Sequence, residues 1–141
     1  MADPWNLERF VQAQDGVYQR VCAELRRGRK TTHWMWFIFP QMRGLGRSAT
    51  AVQYGIASLA EAQAYAAHPM LGARLRECCR ILLDGPSADA HSIFGHPDDL
   101  KLRSGVTLFK RAAPEEAIFA DVLEKFFAAQ EDQATLTLLS G

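Results

Sequence analysis

The feature that most constrains this chain is one dense aromatic block. Trp34, Trp36, Phe37 and Phe39 fall within six positions, Trp34-Met35-Trp36-Phe37-Ile38-Phe39. At about 150–250 Å² per ring, their burial removes about 600 Å² or more from water, enough to nucleate a small domain. Six apolar residues in a row carry no periodicity that separates a strand from a helix. The rest of the chain is rich in alanine, leucine, glutamate and arginine, has few β-branched runs and offers no obvious second strand. The block is therefore expected to be a short buried helix or turn stopped by Pro40. The expected fold class is all-α, a single multi-helix domain over residues 1–141 built around this segment.

Helical patterns account for most of what flanks the block. Asp3-Pro4 has the letters of a helix start, and Leu7, Phe10, Val11, Val17, Tyr18, Val21, Cys22 and Leu25 form a stripe weakly broken at Asp15-Gly16, as two helices or one kinked helix. Arg26, Arg27, Arg29 and Lys30 crowd its end, with Gly28 as a left-handed cap. Beyond the Pro40–Gly46 loop, Ser48 caps a helix carrying Ala51, Val52 and Tyr54 to Ile56. Ser58-Leu59-Ala60-Glu61 has capping-box spacing and opens a helix that His68 closes ahead of Pro69. Leu71, Leu75, Cys78, Cys79 and Leu82 make the next stripe, ended by Asp84-Gly85-Pro86. Asp98-Asp99 begins a helix through Leu100, Leu102, Val106, Leu108 and Phe109; Pro114-Glu115-Glu116 begins another through Ile118, Phe119, Val122, Leu123, Phe126 and Phe127; Asp132 caps the last.

Several function classes drop out at this level. Sixteen basic and sixteen acidic residues leave no net charge, which argues against broad binding to duplex nucleic acid or an anionic membrane. With no long apolar span and no signal-peptide pattern at the amino terminus, the expected location is cytoplasmic. Cys22, Cys78 and Cys79 form neither an even disulfide framework nor a Cys-x-x-Cys knuckle, so reduced thiols and no structural metal are expected. Ser-His-Asp, His-Glu-x-x-His and dinucleotide glycine motifs are absent from the sequence. No cofactor is expected.

Two polar clusters remain as candidate chemistry. The first surrounds the aromatic block: Arg29 and Lys30 before it, Gln41, Gly44, Gly46, Arg47 and Ser48 after it. A glycine pair, a guanidinium and a hydroxyl ahead of a helix suit an anion, although a flexible turn with an ordinary cap explains the same letters. His33 adjoins Trp34, joining a proton-exchanging residue type to an aromatic face; a core histidine is the plain alternative. Trp34 or Trp36 would stack a base, and Gln41 would read its edge. The second cluster, following His96, is Asp98, Asp99, Lys101, Arg103 and Ser104, in which either aspartate would act as general base or orient a ribose hydroxyl if the fold joins the two segments. Helix capping and surface ion pairs are the competing explanation.

The residues Gly28-Arg29-Lys30-x-x-His33-Trp34-Met35-Trp36-Phe37-Ile38-Phe39-Pro40-Gln41, Gly44-Leu45-Gly46-x-Ser48 and Ile93-Phe94-Gly95-x-x-Asp98-Asp99-x-Lys101-Leu102-x-Ser104 resemble the bacterial domain of unknown function 1810 family. The resemblance runs from Leu7-Glu8-Arg9-Phe10 to Asp132-x-x-Thr135-Leu136 and implies a mainly helical single domain. Gly105, where a second serine often follows Ser104, and Gln130, where glycine is usual, depart from the family pattern. Some members carry the label calpastatin, but this chain has none of the repeats that name implies. A more distant likeness is to NADAR domains, small helical glycohydrolases of NAD and ADP-ribose metabolism. Their Glu-His pair is missing, since Thr32 precedes His33, so that likeness leaves the catalytic carboxylate unassigned.

Three readings follow. An N-glycosidic hydrolase of ADP-ribose-type nucleotides would hold phosphate with Arg29, Lys30 and Arg47 and use His33, Asp98, Asp99 and Lys101 at the reacting centre. A non-catalytic module would use the same cleft to bind a small nucleotide-like or anionic ligand or an acidic peptide. An adaptor would expose the aromatic block as an apolar patch for another protein. Homo-oligomerisation is left open by the sequence.

Overall fold

A computed structural model describes residues 3–140; Met1, Ala2 and Gly141, part of the expected domain, lie outside the described residues. Ten helices succeed one another among the described residues. They are α1 Glu8–Gln14, α2 Tyr18–Arg27, α3 Met35–Ile38, α4 Ala49–Tyr54, α5 Leu59–Ala67, α6 Leu71–Asp84, α7 Ala90–Phe94, α8 Asp98–Ala112, α9 Ala117–Phe127 and α10 Gln133–Ser140. The fold is all-α. The one β feature described is an isolated parallel bridge, Met42 to Ile56, in which Ile56 N–H donates to Gln41 and Arg43 N–H donates to Ile56, both at 2.8 Å.

Helix α8 is the axis of the packing. A helix buried on one side shows a stripe, whereas Ser104 through Phe109 are buried without interruption. The helix is enclosed because α5, α7, α9, α10 and the short α3 all pack on it. Phe109 stacks between Tyr65 of α5 and Phe119 of α9, at ring separations of 5.3 and 5.9 Å. Helix α6 lies against α2, α5 and α9. Its open carbonyl end is closed by Lys125, whose Nζ donates to Leu82, Leu83 and Gly85 carbonyls at 2.7–3.0 Å.

The aromatic block forms the expected short helix, α3, which ends at Ile38 with Phe39 as its C-cap ahead of Pro40. Trp34, Trp36 and Phe39 are buried in it and Phe37 half-buried. Trp34 and Phe39 each meet Phe94 of α7 edge-on. The adaptor reading loses its apolar patch, because the block is interior rather than displayed.

Several local expectations change. Asp3 does not open a helix at Pro4; its carboxylate reaches forward to the N–H groups of Leu7 and Glu8, and α1 begins at Glu8 after Asn6 turns through φ 52°. The break at Gly16 is complete, giving two helices. Val52 is exposed, and Ile56 lies beyond α4, in the bridge. The capping box is half as expected: Ser58 Oγ accepts from Glu61 N–H at 3.2 Å, but the Glu61 carboxylate accepts from Ala57 N–H at 2.9 Å and pairs with Arg9. The His68 side chain opens α6 instead of closing α5, with Nδ1 accepting the N–H groups of Met70 and Leu71. Leu100 is exposed, although it lies on the helix whose middle is enclosed.

Candidate functional site

The chain leaves α2 through a Schellman turn. Gly28 takes φ 78°, its N–H donates to the Leu25 carbonyl at 3.1 Å, and Arg29 N–H donates to Glu24 at 3.0 Å. This turn delivers Lys30 to α7, where its N–H donates to the Ile93 carbonyl at 2.7 Å. The Lys30 side chain, only 6% exposed, then runs inward, placing Nζ 2.8 Å from Asp98 Oδ2. The same ammonium lies 5.0 Å from the Trp34 ring centroid. Lys101, one turn along α8, reaches the other Asp98 oxygen at 3.2 Å and lies 5.6 Å from the Trp36 ring.

One carboxylate is thus held by two ammonium groups, each over an indole face. Asp98 sits in the first turn of α8, where the helix's positive pole also favours an anion. Burial pushes its carboxyl up, but hydrogen bonds and charge from Lys30 and then Lys101 outweigh burial and hold it below the ordinary aspartate range. Asp98 is therefore ionised at neutral pH, unsuited to donate a proton and suited to stabilise positive charge. A small cleft of about 110 Å³ opens over this trio, walled by Trp34, Met35, Trp36 and Phe37, with His33 and Thr50 exposed at its edge.

A buried glutamate holds the wall in place. Glu24 accepts from Thr31 N–H, Thr32 N–H, the Thr32 hydroxyl and Trp34 Nε1 at 2.6–3.1 Å. Burial raises its pKa, but these four donors prevail and bring it down to about 2. The segment from Thr31 to Trp34 is thereby tied to α2 from both backbone and side chain.

A model of a family described as protein of unknown function (DUF1810) matches residues 4–139. The chain belongs to the DUF1810 family. It is also similar to the conserved hypothetical protein Rv1873 from Mycobacterium tuberculosis, whose crystal structure was solved at 1.38 Å. The two are 52% identical, with a TM-score of 0.96 and 99% of each chain covered. No curated protein matches the chain. Neither match bears the name of NADAR domains or calpastatin.

Of the residues singled out in this DUF1810 chain, the fold brings Lys30, His33, Trp34, Trp36, Asp98 and Lys101 to one cleft. The others go elsewhere. Arg29 is exposed on a separate concavity with Arg27 and His91. Asp99 turns toward His91 and His96, 3.6 and 3.3 Å away. Ser104 donates back to the Leu100 carbonyl at 3.2 Å. Gln41 is buried, with its Nε2 lacking a hydrogen-bond partner.

The glycine loop has a packing role. A Cβ on Gly46 would stand 2.9 Å from Trp36 Cζ2 and 2.8 Å from Ala51 Cβ, so the absent side chain is what lets the loop lie on the indole. Gly44 faces Leu138, and the Ser48 hydroxyl is occupied by Ala51 N–H at 3.1 Å. Arg47 is exposed and outside the cleft lining.

Glu24 and Thr50 belong to the site but carry no motif in the sequence. Glu24 had a usable signal: it follows Val21 by three positions, on the inward stripe of a helix, where a carboxylate must find donors. Thr50, on the first turn of α4, had none, because its place at the cleft is set by how α4 packs on α3. Among the described residues no three His, Cys, Asp or Glu side chains converge as metal ligands. No described helix is long and apolar enough to cross a membrane.

Proposed function

We propose that the cleft binds a small anionic ligand of nucleotide type, with the lysine pair on phosphate and the ligand's ring against the Trp36, Phe37 and His33 side. The observation that carries this reading is the convergence of Lys30 and Lys101 on a single carboxylate: two ammonium groups facing one Asp98 leave a surplus positive charge inside an aromatic-walled cleft. Lys101 is the more exposed partner and makes the longer contact, so an incoming phosphate takes it first. Trp34, 3% exposed against 9% for Trp36, offers the ligand less surface and serves as a wall.

Thermal unfolding of the purified protein with NAD, ADP-ribose, guanosine nucleotides and sulfate tests the reading, because a ligand that binds only the native state raises its apparent stability. At a hundredfold excess over Kd the gain is about 2.7 kcal/mol, several degrees in Tm for a chain of this size. Lys101→Ala should abolish the shift and Arg47→Ala should leave it intact. If none of these ligands shifts the wild type, or if Arg47→Ala removes the shift, the cleft is not the site.

A second reading, N-glycosidic hydrolysis of such a ligand, is favoured by one feature. An ionised carboxylate beside the phosphate site is the group needed to stabilise an oxocarbenium-like centre or orient water. Asp98→Asn separates the two. Binding of the anion should tighten, since the lysines lose their internal competitor, while any glycosidic turnover should fall by about 10² or more. Turnover that survives this substitution would rule Asp98 out of the chemistry.

A further inference from the structure

At about 110 Å³ the lysine cleft is well below the roughly 300–1,000 Å³ of sites that enclose a small-molecule ligand, so a nucleotide seated there projects from it. A second, more open concavity of about 650 Å³ adjoins the cleft. Lys30 lines both. The corner between α7 and α8 touches both as well, with Gly95 in the lining of the second and Asp98, three residues on, in the lining of the first.

The second concavity is basic and has no carboxylate in its lining. Arg27 and Arg29 line it from either side of Gly28, and His91 and Ser92 line it from α7. Asp99, 3.6 Å from His91, lies outside the lining. Arg9, Arg76 and Arg111 each hold a glutamate, but neither Arg27 nor Arg29 makes an ion pair among the described residues. The Arg27 guanidinium donates only to the Thr31 hydroxyl, at 3.5 Å. Nor are the two guanidinium groups needed as caps, since the N–H groups of Gly28 and Arg29 already close the carbonyl end of α2.

We propose that the two concavities form one site, whose ligand is a nucleotide with an extended phosphate tail, a di- or triphosphate or a pyrophosphate ester, ending on Arg27 and Arg29. This rests on the nucleotide reading above and adds to it the tail and the two arginines. Charge sets the need for them. Lys30 and Lys101 against Asp98 leave one net positive charge, whereas a terminal phosphate carries about −1.5 to −2 at pH 7. One phosphate already exceeds what the lysine pair can neutralise, and each further one needs cations with no internal partner. Arg27 and Arg29 are such cations, and a guanidinium presents its donors in a planar fork that matches phosphate oxygens. A ligand ending in a single phosphate leaves them unused.

The test is calorimetric titration of the purified chain with inorganic phosphate, pyrophosphate and tripolyphosphate at one fixed ionic strength, which reads the tail without the base. In the wild type, tripolyphosphate should bind about tenfold or more tightly than phosphate, the gain expected from one or two added charge-assisted hydrogen bonds. Arg27→Ala combined with Arg29→Ala should remove that advantage and leave the affinity for phosphate itself unchanged. Arg20→Ala combined with Arg47→Ala takes the same charge from exposed positions outside both concavities and should preserve it. Lys101→Ala should weaken all three. An advantage that survives loss of Arg27 and Arg29, or that falls equally in the Arg20 and Arg47 control, overturns the inference and leaves the lysine cleft as a phosphate site. Tripolyphosphate binding that depends on the two arginines but not on Lys101 would mean two separate sites and overturns it as well. If Lys101→Ala leaves the binding of phosphate unchanged, or if none of the three binds, the nucleotide reading itself fails and the inference with it.

Discussion

Glu24→Gln is expected to lower folding stability by about 3–5 kcal/mol at neutral pH, as for any buried charge-assisted network broken on one side. Four donors converge on this carboxylate from Thr31, Thr32 and Trp34. Glutamine offers one carbonyl, which accepts two of them, and turns an NH₂ toward the rest. The pH dependence identifies the cause. The folded value near 2 lies below the ordinary glutamate value of 4.5, so the stabilisation is full above about pH 4.5 and is lost as pH falls toward 2. That difference corresponds to about 3 kcal/mol. Urea unfolding of both forms from pH 7 down to pH 3 checks it: the gap between wild type and Glu24→Gln should hold level to about pH 4.5 and narrow below it. A gap that is small at pH 7, or that stays constant, would show that the carboxylate is not what ties this segment to α2. Asp98, Glu116 and Glu131 also have lowered carboxyl pKa values, but they are common to both proteins and cancel in the comparison.

Arg9→Met should cost about as much, about 3–5 kcal/mol, for a different reason. The Arg9 guanidinium joins three parts of the chain: the Trp5 and Asn6 carbonyls at 2.6 and 2.8 Å, the Gln53 and Gly55 carbonyls at 2.9 and 3.2 Å, and Glu61 at 2.7 Å. It also lies 4.3 Å from the Phe10 ring centroid. Methionine replaces most of the packing but strands the Glu61 carboxylate, which is 2% exposed. Arg9→Met combined with Glu61→Met should then lose less than the sum of the two single changes, because the uncompensated charge is removed along with its partner. Chemical denaturation of the two single variants and the double variant measures the coupling. Strict additivity would mean that the ion pair is not the source of the loss.

Both sites show where local reading stops. The segments Thr31–Trp34 and Trp5–Asn6 lack regular structure, so their polar groups need partners from elsewhere in the chain. Glu24 lies within ten residues of its partners and was legible in principle, as a charge on an apolar stripe. Arg9 and Glu61 are 52 positions apart, and each alone is an ordinary charged residue near a helix start. The sequence places His68 and Glu61 at the correct turns but not with their backbone partners, because Asp, Glu and His side chains reach equally well to several nearby N–H groups.

The sequence by itself determined the fold class, most helix boundaries, the burial of Trp34-Met35-Trp36-Phe37-Ile38-Phe39 and the family. These follow from short-range causes: periodic apolar stripes, Gly28 and Gly85 as stops, Ser48 and Asp132 as caps, and a motif too apolar to face water. Only the tertiary structure decided that Lys30 and Lys101 meet at Asp98, while Arg29, Arg47 and Asp99 turn away from that point. It also decided that Gly46 serves Trp36 by leaving room for the indole. The physical reason is that helices at 18–27 and 98–112 carry no local record of their mutual orientation. That orientation is set by α8 being enclosed by its neighbours, and the direction in which each charged side chain points is settled only once that core has packed.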